Sequence, residues 1–180
     1  MKRFLNNLLS VLLFLSFLTS CNNHKSKNND MESNATSIDK QTNVEKGLQE
    51  ANDSLYAALN DMFNGEFESI NKVWSHSDKV TYMGPFGERL TGWDAVGEAF
   101  KEYAAMKMGG KISPKDTHIF AGTDMGYAIC VEEGINVNKE GLPFTVSHRA
   151  TNVFHFENGQ WKLVHHQTDM SSQLVKSFKP

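Results

Sequence analysis

The segment from Ser147 to Asp169 constrains the fold of this 180-residue chain more than any other. Two runs rich in Val, Phe, Thr and Trp flank Asn158-Gly159, a pair that readily adopts positive φ, so the segment predicts a β-hairpin. It contains four of the seven histidines. A hairpin half buried on a core alternates apolar and polar residues, whereas this one intersperses several ionisable residues among the apolar ones. At least one of its faces is therefore expected to line a polar cavity.

The loop of this hairpin determines which side chains share a face with His166. A shift of one residue in the pairing moves every side chain to the other face. The two candidate sets are Thr151 with Arg149 for a two-residue loop, and Asn152, His148 and Thr168 for a type I turn with a Gly bulge. From the residues alone, both sets stay open.

The N-terminus predicts export. Met1 to Cys21 has a positive start, an apolar run too short to span a bilayer, and a small or polar end, which is typical of a secretory signal. Its last four residues, Leu18-Thr19-Ser20-Cys21, resemble a bacterial lipobox, so Cys21 is expected to become a lipidated N-terminus on the cell envelope, outside the cytoplasm. An ordinary cleaved signal with a chance cysteine is the alternative.

Residues 22–43 are rich in Asn, Lys and Ser and contain no aromatic residue, so a disordered tether is expected there. Residues 44–180 then form one domain. The formal net charge of −3 gives no basic footprint, which argues against a nucleic-acid partner.

Helical patterns precede strand patterns along the domain. Apolar residues at helical spacing predict a first helix from Val44 to Met62, and two further helices are expected at Glu66 to Trp74 and Trp93 to Met106. A short strand, Lys79 to Gly84, lies between the last two. Four long strands follow, at Ile112 to Ala121, Tyr127 to Val137, Phe144 to Phe156 and Trp161 to Met170. This order predicts an α+β domain with an antiparallel meander.

Three blocks of sequence carry a family resemblance. They are WSHSDKVTYMGPFG from Trp74 to Gly87, Gly92-Trp93 at the start of the third helix, and HRATNVFHFENGQWKLVHHQTD from His148 to Asp169. Together they resemble the SnoaL-like branch of the nuclear transport factor 2-like superfamily, whose members are often labelled ketosteroid isomerase homologues. The resemblance implies a curved antiparallel sheet wrapped on three N-terminal helices, a deep cone-like pocket and a homodimer formed through the outer face of the sheet. It implies no single activity, because the superfamily contains both enzymes and binding modules.

The same resemblance favours the hairpin register that points His166 and Thr168 into the pocket, together with Asn152 and His148. It also shows departures. Many relatives end the hairpin in a pattern like HRHAD where this chain has His165-His166-Gln167-Thr168-Asp169, and many carry His at the position of Asn152.

Glu132 and His166 are the candidate catalytic residues. Alternation along the predicted strand Tyr127 to Val137 sends either Glu132 or Glu133 inward, and parity with the small residues Ala128 and Cys130 indicates Glu132. A buried carboxyl group is either paired or has a raised pKa. A salt bridge with Arg149 or Lys162 is the structural alternative. His166 is a candidate general base, or else a hydrogen-bonded wall residue.

Several further side chains are candidate ligand contacts. They are Tyr82, Trp74, Trp93, His148, Asn152 and Thr168, with Arg149 and Asp169 as second choices that could instead pair with each other. His165 and His166 point to opposite faces of one strand and cannot bind one metal ion together, so no metal site is expected. No cofactor is expected either. Cys130 is interpreted as a core residue.

Two functions fit these residues. One is an envelope-anchored enzyme that uses acid–base chemistry on a small, partly apolar molecule, as an isomerase or hydro-lyase. The other is a non-catalytic ligand-binding or dimerisation module. They differ in whether the pocket holds a titratable pair.

The lipobox generates the first prediction. Because several acyl chains would hold the protein on a membrane, Cys21→Ser is expected to move the protein from the membrane fraction to the soluble fraction. Metabolic labelling with a fatty acid measures the lipid directly, and an unlabelled wild-type protein would contradict the assignment.

Overall fold

The structure is a computed structural model that describes residues 24–85, 87–138 and 140–169, with side chains from Lys40 onward. The lipobox and Cys21 lie outside the described residues. The fold lies in the compact unit that begins at Ser37. Its elements are α1 (His24–Phe63), α2 (Glu68–Val73), β1 (Thr81–Met83), β2 (Leu90–Thr91), α3 (Trp93–Met106), β3 (Lys111–Ala121), β4 (Met125–Val137), β5 (Pro143–Glu157) and β6 (Gln160–Thr168).

The six strands form one curved, unclosed sheet in the order β2-β1-β6-β5-β4-β3. The predicted antiparallel meander of four long strands is confirmed. The sheet is not wholly antiparallel, however, because β1 pairs with β6 in parallel. A parallel pair needs a long connection between its strands, and here α3 and the rest of the meander supply it.

Helix α1 begins at His24, inside the segment predicted to be a disordered tether. Helix propagation is inexpensive once a packed stretch has nucleated it, and the buried residues of this helix start at Leu48. The boundaries of tether and domain therefore stay predictions. No helix among the described residues is both long and apolar enough to cross a membrane.

The core lies between the helices and one face of the sheet. Helix α1 contributes Leu48, Leu55 and Leu59, while Phe100 of α3 and Phe154 of β5 are almost fully buried. We call the helix-covered side of the sheet its inner face and the opposite side its outer face. The functional candidates divide between these two faces.

The β5–β6 hairpin corrects one prediction and confirms another. Asn158 and Gly159 have φ of 53° and 80° and form a two-residue loop, since Glu157 pairs with Gln160. The predicted type I turn with a Gly bulge is therefore wrong, because both loop residues adopt the positive φ that a type I′ turn requires.

A bulge inside β6 nevertheless restores the predicted face. Phe154 pairs with Leu163 but Val153 pairs with His165, so Val164 is an extra residue on β6. The shift places His166 opposite Asn152, rather than opposite Thr151. His166 is therefore on the inner face because of the bulge and not because of the turn.

Candidate functional site

A cluster of buried polar side chains occupies the inner face. Strand pairing aligns Tyr82 of β1 with His166 of β6, His166 with Asn152 of β5, and Glu132 of β4 with His148 of β5. Each of these five side chains is at most 9% exposed. The inner face is therefore not a purely apolar core surface.

Helix α1 supplies a polar stripe to this cluster. Asn52, Tyr56 and Asn60 recur every four residues and therefore share one face of the helix. Each of them forms a hydrogen bond to a residue of the sheet. The Tyr56 hydroxyl lies 3.0 Å from the Cys130 Sγ and donates to the Glu132 Oε1 at 3.1 Å.

The stripe connects directly to His166 through one amide. Asn152 Nδ2 donates to Asn52 Oδ1 at 2.9 Å and to the Tyr56 hydroxyl at 3.3 Å. Asn152 Oδ1 lies 2.6 Å from Nδ1 of His166. Asn152 is fully buried, so it would influence a ligand through its contact with His166 rather than directly.

Glu132 and His166 form the titratable pair of the cluster. The Glu132 Oε1 lies 3.8 Å from the His166 Nε2, beyond hydrogen-bond distance, so these two atoms are not hydrogen-bonded to each other. Glu132 contacts Tyr56 and His166 and not the predicted cations, since Arg149 pairs with Asp169 and Lys162 donates to the Lys72 carbonyl. The salt bridge with Arg149 or Lys162, which was the structural alternative for Glu132, is therefore not formed among the described residues.

Burial favours the neutral forms of this pair. It raises the pKa of Glu132 to about 7, against the opposing effect of the Tyr56 hydrogen bond. Burial, followed by the nearby charge of His165, lowers the pKa of His166 to about 3. At 3.8 Å an ion pair is geometrically close, but both shifts oppose the charges it requires. A carboxylic acid therefore faces a neutral imidazole between about pH 3 and 7.

Tyr82 covers one face of the imidazole. Its ring stacks on His166 with centroids 5.7 Å apart and planes 9° apart. Burial raises the pKa of Tyr82, and burial followed by the neighbouring Glu132 raises that of Tyr56. Both phenols therefore stay protonated and act only as neutral groups.

Other predicted contacts lie on the inner side as well. His148 Nδ1 is 2.7 Å from the Asp169 carbonyl oxygen, which it meets as a donor. Thr168 Oγ1, Trp74 Nε1 and Asn52 Nδ2 are buried and have no hydrogen-bond partner among the described residues. Buried polar groups of this kind normally have a partner, so these atoms are available to a ligand or a water molecule.

Three predicted contacts lie outside this cluster. Trp93, at the start of α3, is stacked between His76 and Phe67, with ring centroids 4.5 and 6.4 Å away. Arg149 and Asp169 form an ion pair on the outer face, where the Arg149 side chain is 83% exposed. Their pairing with each other is the alternative that was given for them, and both residues also line the groove on the outer face.

The outer face has a groove of its own. A cavity of about 470 Å³ crosses β3 to β6, with Asp116, His118, Ile129, Arg149 and Thr151 among its lining residues. The register of β3 against β4 shifts between Lys115 and His118, beside the lining residues Asp116 and His118. This groove lies on the opposite side of the sheet from Glu132 and His166, so it is no part of the acid–base cluster.

Among residues 24–85, 87–138 and 140–169, no group of three or more His, Cys, Asp or Glu side chains is placed to hold a metal ion. His165 illustrates why: it points away from His166, and its Nδ1 lies 2.7 Å from the Thr81 hydroxyl.

Asn52 and Tyr56 were missed from the sequence. The apolar pattern of the first helix indicated a core-facing surface, and these two polar residues were left out of it. Their spacing of four with Asn60 was a usable signal, because polar residues that recur at this spacing share one helical face.

Comparison with known families agrees with this architecture. A family described as SnoaL-like domain matches residues 48–172, which is more than half of the chain. The chain belongs to the SnoaL-like domain family. The match includes the buried cluster and both of its contributing layers.

Solved structures of low sequence identity share the fold of this SnoaL-like domain. A candidate dehydratase of the NTF2-like family from Streptomyces avermitilis is 24% identical, with a TM-score of 0.63 over 72% of this chain and 96% of that one. The association domain of CaMKII from C. elegans is 16% identical, with a TM-score of 0.57 over 73% of this chain and 99% of that one. These likenesses show the fold alone.

One curated relative matches in sequence. The F-box protein SKIP8 of Arabidopsis thaliana is 27% identical over 103 residues. The match covers 57% of this SnoaL-like domain chain and 42% of the relative, so the chain spans less than half of that protein's length.

The neutral pair predicts an unusual dependence of stability on pH. The raised pKa of Glu132 contributes stability that is lost as pH rises from 4.5 towards 7, whereas the lowered pKa of His166 contributes stability that is lost as pH falls from 6.5 towards 3. Between pH 4.5 and 6.5 the two slopes, each about 1.4 kcal/mol per pH unit, oppose each other.

Removing one of the two groups should leave the pH dependence of the unfolding free energy that the other group causes. Relative to wild type, the free energy of unfolding of Glu132→Gln should rise with pH in this window, and that of His166→Phe should fall. Urea denaturation of the three proteins at matched pH values measures both. Parallel profiles for all three proteins would show that the two groups do not titrate as described.

Proposed function

We propose that the inner-face cluster is an acid–base site for a small, partly apolar carbonyl compound. The observation that carries the proposal is the neutral Glu132 carboxyl group 3.8 Å from the His166 imidazole, within a cluster of buried polar side chains next to the apolar core. One group can donate a proton and the other can accept one. Isomerisation or loss of water from a carbonyl compound needs both at the same time.

The proposed proton transfer needs no reactant besides the carbonyl compound and the two side chains. His166 accepts the proton from the carbon beside the carbonyl, the electron pair of that C–H bond forms a C=C bond, and Glu132 donates its proton to the carbonyl oxygen. For a dehydration, the Glu132 proton would go instead to a departing hydroxyl group. Return of the protons completes an isomerisation.

The transfer creates charges that burial disfavours on both groups. After the step, His166 is an imidazolium and Glu132 a carboxylate, so two opposite charges lie side by side. Their attraction in a low-dielectric site offsets part of the cost of burying each. The unpartnered Thr168 and Asn52 atoms offer hydrogen bonds to ligand oxygens.

Exchange of carbon-bound hydrogen tests this function without knowledge of the natural ligand. A panel of small cyclic ketones in D₂O should exchange the hydrogens beside the carbonyl faster with the protein than without it, as followed by proton NMR. His166→Phe and Glu132→Gln should each lower the rate by about 10²-fold or more.

His155→Phe is a matched control, because His155 lies on the outer face of the same hairpin. Its exchange rate should equal that of wild type. Exchange that survives in His166→Phe would contradict the assignment, and the absence of exchange with every ketone would favour a binding module.

A second proposal is assembly through the outer face of the sheet. Phe120, Tyr127 and Ile129 are 54%, 37% and 42% exposed there, although they are apolar. Neighbouring apolar side chains on one face are typical of a protein–protein interface. The similarity to CaMKII association domains supports a homodimer, and the outer groove would lie within its interface.

Light scattering on the full chain carrying Cys21→Ser tests the dimer. Adding Ile129→Asp should give a monomer, because a carboxylate would be buried without a partner at the interface centre. Leu142→Asp is the control, since Leu142 is 61% exposed but lies between β4 and β5. A monomer before any interface substitution would rule out the assembly.

We also propose that lipid on Cys21 holds the protein at the bacterial cell envelope, facing away from the cytoplasm. The lipobox of residues 18–21 supports this location. The acid–base site does not depend on it.

A further inference from the structure

Asn152 lies at the junction between helix α1 and His166. Its amide nitrogen has two hydrogens, and the structure gives each an acceptor, Asn52 Oδ1 at 2.9 Å and the Tyr56 hydroxyl at 3.3 Å. Its oxygen therefore faces His166. Asn52 and Asn152 are both fully buried, so no bulk water competes for these contacts.

The orientation of the amide determines where His166 carries its hydrogen. An amide oxygen only accepts hydrogen bonds, so the Nδ1 of His166, 2.6 Å away, is the donor. A neutral imidazole has one N–H, which leaves the lone pair on Nε2. This is the nitrogen that faces Glu132 at 3.8 Å.

We propose that Asn152, held by Asn52 and Tyr56 of helix α1, is a positioning residue that keeps His166 in the Nδ1–H tautomer and makes Nε2 its proton acceptor. The catalytic use of this arrangement rests on the proposed function. The arrangement itself rests only on the hydrogen-bond geometry, so the two can be tested separately.

Tyr56 distinguishes this arrangement from its inverse. The single proton of Tyr56 goes to the Glu132 Oε1, so the hydroxyl oxygen accepts from Asn152. If Asn152 turned over, its oxygen would meet Asn52 Oδ1, two acceptors in contact. A joint inversion of both amides would remove this conflict and place the His166 hydrogen on Nε2. It would also set the Asn152 oxygen against the Tyr56 oxygen, whose proton goes to Glu132, so Tyr56 disfavours it.

A neutral orienting group suits a buried imidazole. A carboxylate at position 152 would also accept from Nδ1, but it would stabilise the imidazolium as well. An amide orients the ring without adding charge to the core. Its position therefore gives His166 one basic nitrogen while the ring stays neutral.

Nitrogen-15 NMR of the full chain labelled at histidine tests the proposal, with the His166 signals assigned by their loss in His166→Phe. In wild type, Nδ1 should be protonated and Nε2 unprotonated, with no titration between about pH 5 and 8. Asn152→Asp should keep the tautomer but raise the pKa of His166. Asn152→Leu and Asn52→Leu should shift hydrogen towards Nε2.

Asn60→Leu is the matched control. Asn60 belongs to the same stripe of α1, but its amide bonds the backbone of Ile112, at 3.0 and 2.9 Å. This variant should lose stability without changing the His166 nitrogen signals. An equal change in Asn60→Leu and Asn152→Leu would overturn the proposal, as would a protonated Nε2 in wild type.

The NMR result for His166 can be read independently of the ketone-exchange result. Absent ketone exchange with a fixed Nδ1–H tautomer would reject the proposed function and keep the positioning role. Ketone exchange together with a protonated Nε2 would keep the proposed function and reject the positioning role of Asn152.

Discussion

The packing of helix α1 across the inner face of the sheet is the constraint on which the site depends. Successive turns of α1 present Asn52 to β5, Tyr56 to β4 and Asn60 to β3. Asn52 contacts Asn152, and Tyr56 contacts Cys130 and Glu132. Moving α1 by one turn would leave Glu132 without its donor and Asn152 without its acceptors.

The protonation states of Glu132 and His166 follow from their burial away from cationic side chains. No Lys or Arg side chain reaches Glu132 among the contacts described, so burial outweighs the single hydrogen bond from Tyr56 and the carboxyl group keeps its proton to about pH 7. His166 is held neutral by the same burial. Two groups that would both be charged in water between pH 4.5 and 6.5 therefore coexist as a neutral donor and acceptor, which is the state that paired proton transfer requires.

Strand alternation separates two possible roles of the domain. Cys130 and Glu132 point inward to the acid–base cluster, while Ile129 and Glu133 are exposed on the outer face. One side of the sheet thus carries a buried polar cluster, and the other side carries exposed apolar side chains. Relatives of the same fold include a candidate dehydratase and an association domain, so the fold alone does not select between these roles.

The sequence by itself determined those features that depend on neighbouring residues. The third helix, Trp93–Met106, the four long strands and the opposite orientation of His165 and His166 all follow from local periodicity, and the structure has each of them. The inward direction of Glu132 also follows from alternation along one strand. Sequence blocks were sufficient to indicate the superfamily.

Only the tertiary structure decided how these elements meet. The type I′ turn at Asn158-Gly159 would place His166 opposite Thr151, and the bulge at Val164 corrects the register in a way that no local pattern indicates. Asn52 and Tyr56 gain their roles because α1 crosses residues about 75 to 100 positions away in the chain. Pairing across such distances depends on the summed packing of both layers, and this is why the sequence could suggest Glu132 and His166 but not the residues that orient them.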